Sequence, residues 1–408
     1  MDSEWNSMQK TIFLVDMNAF YITCEIRRNK ALGGKPAAVA GDPKRRAGII
    51  LAANYEARAC GVRTAMTVNS ALRLCPDLVL VPPDHRYYEE MSEKVMDILS
   101  HYSPLIEQNS IDEAWLDMTG TEGLFGPPLE AAQRIMTEIR EELDLWCSIG
   151  IAGNKFLAKM ASEMKKPLGI TMLRDEDIRT RLWPMPVGNM YGVGEKTAET
   201  LKAMHILTIG DLAGCSRDTL CKRLGKVGIA HHMHAHGIDY DPILPRCHED
   251  IKSIGRSTTL SEDMTDIGQA KLVLMELSDE ISTRARRSGK KGHTVQITLK
   301  FKDFTTITRQ MGIPGTDLSK RIHAAGIDLL ERNWDEKRPV RLLGISITDF
   351  EKEDAIHQLS LFESPEEKEA PALVRAEKVQ KAMDDIREKY GTDKVSWGSL
   401  LRPNKKTP

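Results

Sequence analysis

Thr11-Ile12-Phe13-Leu14-Val15-Asp16 and Ser110-Ile111-Asp112-Glu113-Ala114-Trp115-Leu116 are the two stretches from which the fold of this chain can be read. Each has an apolar run of strand length, and each run carries carboxylates: Asp16 ends the first, and Asp112-Glu113 interrupts the second. A carboxylate embedded in an apolar strand is costly unless something neutralises it. A pair of divalent metals would do so, and a two-metal site suits phosphoryl or nucleotidyl transfer. On these residues alone, two strand ends carrying acids at the solvent edge is the ordinary alternative. Adjacent residues point to opposite faces of an ideal strand, so a shared task for Asp112 and Glu113 predicts a hairpin end or local distortion there.

Outward from these stretches the first part of the chain reads as α/β. Strands are expected at 11–15, 37–40, 48–52, 78–81, 112–117 and 147–152, with amphipathic helices at 87–102 and 129–143. From 175 to about 241 the pattern changes to short helices broken by glycines. The region 252–350 alternates, with strands expected at 295–301 and 340–347, and a last helix is expected at 375–389. A chain of 408 residues predicts roughly two to four domains. No apolar run approaches the ~18 residues of a membrane span. The first ten residues are polar and lack the apolar core of a signal peptide, which predicts a cytoplasmic protein. Seven cysteines stand singly, with no CxxC pair, so neither a zinc site nor a disulfide framework is indicated.

The net charge of −2 is less informative than its distribution. Between 281 and 309 there are eight basic residues, including Arg284, Arg286, Arg287, Lys290 and Lys291, against the single acid Asp303. Between 351 and 372 there are seven acids against two bases. A basic segment beside an acidic one predicts a polyanion-binding domain followed by a solvated linker.

Several motifs carry chemistry. Asp16-Met17-Asn18-Ala19-Phe20-Tyr21 turns from strand to helix, a natural place for metal and phosphate. Phe20 and Tyr21 are either core aromatics or the floor under a nucleotide sugar. In Asn54-Tyr55-Glu56-Ala57-Arg58, Tyr55 and Arg58 share a helix face. They either decorate a surface helix or meet a triphosphate. Lys165-Lys166 ends a helix beginning near Asn154, either solvated or facing anionic phosphates. Tyr191-Gly192-Val193-Gly194-Glu195-Lys196 has the form of a helix-hairpin-helix, whose glycines let backbone amides reach a DNA phosphate, and Leu224-Gly225-Lys226-Val227-Gly228 is a weaker second copy. His231-His232-Met233-His234-Ala235-His236 is expected to be an exposed helix with incidental histidines. Gln358-Leu359-Ser360-Leu361-Phe362 is an apolar island in the acidic stretch, suited to a partner's pocket or to packing back on the body.

In this order the motifs resemble those of the Y-family translesion DNA polymerases, most closely the bacterial polymerase IV group, from about residue 10 to 362. The resemblance implies an α/β (α+β) multidomain right-hand architecture. The palm would be 10–23 and 85–174, the fingers 24–84, the helix-hairpin-helix thumb 175–243, the little finger 252–350, and 351–408 an acidic tail holding a clamp-binding peptide at 358–362. It implies that Asp16, Asp112 and Glu113, helped by the Met17 carbonyl, hold two Mg²⁺ for template-directed synthesis from deoxynucleoside triphosphates on primer-template DNA. It places Phe20, Tyr21, Tyr55, Arg58 and Lys166 at the nucleotide, with Tyr21 excluding a ribose 2′-hydroxyl. Ile49 and Leu51 would roof the nascent base pair. Gly192, Gly194, Lys196, Arg284, Arg286, Arg287, Lys290 and Lys291 would meet the DNA backbone. Gln358, Leu359, Leu361 and Phe362 would bind a sliding clamp. A monomer without proofreading is expected. Asn18 departs from the Asp common in polymerase IV proteins, and Leu51 from a small residue common there. Two other readings use the same residues: a catalytically silent DNA- and clamp-binding scaffold, and a two-metal nuclease.

Overall fold

The computed structural model describes residues 10–42, 48–245, 251–351, 365–391 and 394–398. The clamp-type peptide at 358–362 therefore lies outside the described residues. Two compact units divide the chain near residue 246.

The first unit contains two sheets. Strands β1 (Ile12–Met17), β2 (Ala37–Ala40), β3 (Ile50–Ala53), β4 (Val79–Val81), β5 (Ile106–Gln108), β6 (Glu113–Asp117), β7 (Cys147–Ala152) and β8 (Ile170–Met172) follow the expected order. One sheet runs β5-β6-β1-β7-β8, and a smaller one runs β3-β2-β4. The short β5 and β8 carry too few apolar residues to stand out from the sequence, yet each pairs with a strand that does.

Period-two alternation sorts β1 between two cores. Phe13, Val15 and Met17 pack with Met91, Val95, Ile135 and Ile139 from helices His85–Ser100 and Pro128–Leu143. Ile12 and Leu14 face the other way, with Trp115, Phe156, Leu157 and Met160. Asp16 continues the second set. Its face is covered by helix Lys155–Met164, which starts at the cap Asn154, whose side chain accepts the Leu157 amide at 2.9 Å. That helix lies against β7 because residue 150 is glycine: a Cβ there would stand 2.0 Å from the Ala158 carbonyl oxygen. The close approach brings the next turn of the helix, with Lys159, over the end of β1.

Short helices from Glu195–Ala203 to Lys226–Ala235 follow the second core, which continues through Val193, Leu201, Leu212 and Leu220. The histidine helix is less exposed than expected. His231 is buried, with its Cε1 3.3 Å from where a Cβ on Gly192 would stand, and His234 stacks on Phe156 at 4.4 Å.

The second unit is one four-stranded antiparallel sheet, order β11-β10-β12-β9, built from β9 (Ser253–Met264), β10 (Gly292–Phe301), β11 (Thr306–Thr316) and β12 (Val340–Phe350). Val295, Ile297, Leu299, Leu343 and Ile345 pack with Leu274, Ile281, Ile322 and Leu330 of helices Ile267–Arg287 and Ser319–Asn333. The expected terminal helix is longer than its sequence pattern, Pro365–Tyr390, and docks on this unit through polar groups rather than an apolar stripe. Gln380 is buried and accepts from Arg286 at 2.6 Å, while Arg387 donates to Asp279 at 2.6 Å. Among the described residues no helix is long and apolar enough to cross a membrane.

Candidate active site

Asp16 and Glu113 face each other directly across the β1–β6 ladder. Both lie on the face covered by helix Lys155–Met164, since Glu113 shares its side of β6 with Trp115. Asp112 precedes the strand. There the amides of Asn109 and Ser110 both turn to the Glu113 carbonyl, at 3.0 and 3.3 Å, closing the β5–β6 hairpin. This is the expected distortion, and it frees Asp112 from the strand's alternation. The Met17 amide donates to the Asp112 carbonyl at 2.9 Å, and the Ser110 hydroxyl donates to Asp112 Oδ1 at 2.6 Å.

Lysines compensate the buried carboxylates. Lys159 Nζ lies 2.8 Å from Asp16 Oδ2 and 2.5 Å from Glu113 Oε2, and Lys166 Nζ lies 2.9 Å from Asp16 Oδ1. Burial alone would raise the pKa of Asp16, but Lys159 and Lys166 outweigh it and hold the carboxyl below its usual range. Burial would likewise lower the pKa of Lys159, and Asp16 and Glu113 overcome it, so the ammonium stays charged. Among the described residues no three His, Cys, Asp or Glu side chains are grouped closely enough to hold one ion together. The three acids are thus neighbours in a cleft, not a preformed cage. Their chemistry is nonetheless that of a hard-cation site: carboxylate and carbonyl oxygens only, in surroundings that already demand positive charge.

Around them is a cavity of about 540 Å³, lined by Asp16, Met17, Phe20, Tyr21, Leu51, Ala52, Tyr55, Arg58, Thr64, Asp112, Glu113, Lys159 and Lys166. Asn54 is buried and builds the Tyr55–Arg58 corner. Its Oδ1 accepts the amides of Ala37 and Ala57 at 3.0 Å, and its amide donates to the Lys35 carbonyl at 2.7 Å. Tyr55 presents a buried hydroxyl without a hydrogen-bond partner. The Arg58 guanidinium lies over the Tyr55 ring at 5.0 Å and donates to the Ala53 carbonyl at 2.9 Å. An orphan hydroxyl beside a guanidinium and an ammonium is a set of donors suited to an anion. Tyr21 stacks on Tyr88 at 4.4 Å, with the Tyr88 hydroxyl tied to Glu25 at 2.6 Å. Burial, then the charge of Asp112, pushes the Tyr21 phenol up, so it stays neutral.

Asn18 also lines this cavity, but its side chain is engaged by structural partners. It donates to Ser148 Oγ at 3.0 Å and accepts the Leu168 amide at 2.9 Å, anchoring the segment that carries Lys166. At this position an amide, which can both donate and accept, does structural work. Leu51 lines the cavity, whereas Ile49 bridges to Thr67 and is not among the lining residues. Lys159 and Thr64 were not singled out from sequence. Lys159 had a legible signal, standing one turn before Glu163 on an otherwise buried helix.

Gly192 adopts φ +87°, a conformation that favours glycine, and Gly194 caps helix Glu195–Ala203 with Lys196 exposed. The second, weaker copy differs: Gly225 caps Lys226–Ala235, but Gly228 is a packing residue, where a Cβ would stand 2.5 Å from the Leu220 carbonyl oxygen. In the second unit the basic run divides. Arg287 is exposed and Lys290 half-buried, and Arg284 donates to the Gly255 carbonyl at 3.3 Å. Arg286 is turned onto Asp384 at 2.6 Å and the Asp317 carbonyl at 2.9 Å, and Lys291 lies 3.5 Å from Glu377. Of these expected DNA contacts, Arg286 is largely buried against Asp384 of the terminal helix, whereas Lys291 stays 44% exposed beside Glu377.

Comparison with known proteins agrees with this anatomy. Residues 15–163 match the impB/mucB/samB family, residues 251–361 its C-terminal domain, and residues 175–206 the IMS family HHH motif. DNA polymerase IV of Clostridium kluyveri is 54% identical over 98% of this chain and 100% of its own length. DNA polymerase IV 1 of Bacillus subtilis is 42% identical over 96% of this chain and 94% of its own. The solved structure of a Y-family DNA polymerase chimera superposes with a TM-score of 0.75 at 26% identity, covering 83% of this chain and 99% of that one. With near-full-length identity to DNA polymerase IV proteins and the matching fold, this chain belongs to the Y family of DNA polymerases and is a DNA-directed DNA polymerase.

Proposed function

We propose that the chain carries out error-prone translesion synthesis by two-metal nucleotidyl transfer, and that a sliding clamp recruits it through 358–362. The observation that carries the mechanism is the pairing of Asp16 with Glu113 across β1–β6, with Asp112 freed by the hairpin beside them. In this reading the five-stranded sheet is the palm, β2 to β4 belong to the fingers, 175–243 is the thumb and 252–350 the little finger. Asp16, Asp112, Glu113 and the Met17 carbonyl would hold Mg²⁺, which supplies an activated primer hydroxyl and a neutralised pyrophosphate. The Tyr55 hydroxyl donates to a phosphate oxygen, and Arg58 and Lys166 balance its charge. Tyr21, stiffened by Tyr88, lies under the sugar. β3 contributes only Leu51 and Ala52 to the cavity.

Mg²⁺-dependent primer extension by the full chain tests the reading. Template-complementary addition that stops when Mg²⁺ is chelated is expected. DNA binding without synthesis would make the protein a silent scaffold, and release of nucleotides from labelled DNA without synthesis would make it a nuclease. Clamp recruitment is tested separately. Replacing Leu361 and Phe362 by Ala removes peptide anchors that typically cost at least ~2 kcal/mol each. Clamp stimulation should disappear while basal synthesis persists.

A further inference from the structure

Every carboxylate oxygen of Asp16 is taken by an ammonium, Oδ2 by Lys159 and Oδ1 by Lys166. Lys159 also pairs with Glu113, and its side chain is only 12% exposed. The lysine therefore sits where the polymerase reading requires a cation. A like charge cannot settle on the same oxygens until the ammonium leaves. An exit is built beside it. Glu163 lies 3.1 Å from Lys159 Nζ and 2.8 Å from Lys166 Nζ, on the same helix face, and is 44% exposed. It touches both ammoniums and neither of the acids assigned to metal.

Resting on the polymerase reading above, we infer that Lys159 is the internal counter-ion of the metal-free site. It holds Asp16 and Glu113 together against their repulsion, and Glu163 receives it when a divalent cation enters. The sequence of exchanges follows from the contacts. A triphosphate draws Lys166 away from Glu163, Glu163 becomes free to accept Lys159, and Asp16 and Glu113 are released to the metal. Metal loading is thereby linked to nucleotide loading, and the protein without nucleotide holds divalent cations weakly. Lys159 is here a positioning residue.

The test is Mn²⁺ binding to the full chain without DNA or nucleotide, read from the electron paramagnetic resonance signal of free Mn²⁺. Lys159→Met keeps the aliphatic stem and removes the charge, and should bind Mn²⁺ at least about tenfold more tightly than wild type. Lys159→Arg, which keeps the charge, should bind like wild type. Glu163→Gln should weaken binding, and that weakening should vanish in the Lys159→Met background, because Glu163 acts through the lysine. If thermal unfolding shows that Lys159→Met does not fold, Lys159→Gln carries the same prediction. Neutral variants that bind no tighter than wild type, or a Glu163→Gln effect equal in both backgrounds, would overturn the inference. Asp16→Asn separates the two levels. If it abolishes Mn²⁺ binding while Lys159→Met gains nothing, the counter-ion role fails and the site stands. If tight binding in Lys159→Met survives Asp16→Asn, the metal lies elsewhere and the polymerase assignment of these acids fails.

Discussion

The acidic cleft and the sheet of the C-terminal unit present charge in opposite ways. In the cleft, Asp16, Glu113 and Lys159 are largely buried, and the lysine lies within 2.8 Å of both acids. On the C-terminal sheet, the face opposite the helices is set by the strand register: Ser253, Thr348, Thr294 and Gly312 form one row, Gly255, Ser346, Gln296 and Gln310 the next. Ser257, Gly344, Thr298 and Thr308 follow, then Thr259, Leu342, Lys300 and Thr306. Those rows carry hydroxyls, amides and glycines, one leucine, one cation and no acid. A catalytic site needs a few groups at one point. A surface that tracks a polymer backbone needs many weak donors and room for close approach. Charge that converges is conspicuous in a sequence, and donors spread over a register are not.

The comparison can be broken first at the cleft. Glu113→Ala should reduce the rate of primer extension by about 10²–10³-fold or more, the scale for losing a group that stabilises transition-state charge. Near-normal rates at ordinary Mg²⁺ would show that the buried acids are structural. Tyr21→Ala comes next. It removes the ring stacked on Tyr88, and discrimination against ribonucleotides should fall by about 10–100-fold in single-nucleotide kinetics. Unchanged discrimination would leave Tyr21 a core aromatic.

Two cations sharpen the contrast within the C-terminal unit. Arg286→Ala breaks a largely buried ion pair and should cost roughly 3 kcal/mol of stability in thermal or denaturant unfolding, without changing the salt dependence of DNA binding. Lys300→Ala should do the reverse, leaving stability nearly unchanged and reducing the salt slope of DNA affinity by about 1. The opposite pattern would return the DNA contact to the basic helix. The smallest effect is expected at Leu51, which adds apolar bulk to the cavity. Leu51→Ser should raise insertion opposite a bulky minor-groove guanine adduct several-fold relative to undamaged guanine. A constant ratio would place Leu51 in the fingers core alone.

What could be read from sequence follows the same division. The strands at 37–40 and 147–152, the helix at 129–143 and the hairpin distortion at Asp112 were legible, because long apolar runs and misplaced acids leave strong patterns. β5 and β8, three residues each, were not, since their existence depends on a partner strand. β9 and β11 hid among polar residues because one face of each carries few apolar side chains. Arg286 was read as a DNA contact because a run of cations does not reveal which member faces Asp384. Asn18 read only as a departure from the Asp common in the family, and Ser148 and the Leu168 amide show what its amide holds.

The separation of chemistry from grip is tested most directly by Asp112→Asn, with single-turnover incorporation and DNA affinity measured on the same preparation. Asparagine keeps the shape and the hydrogen bond from Ser110 while removing the charge. Incorporation should fall by at least about 10²-fold with DNA affinity unchanged within about twofold. Incorporation that persists at the wild-type rate, or that falls only in proportion to lost DNA binding, would contradict the assignment of the cleft.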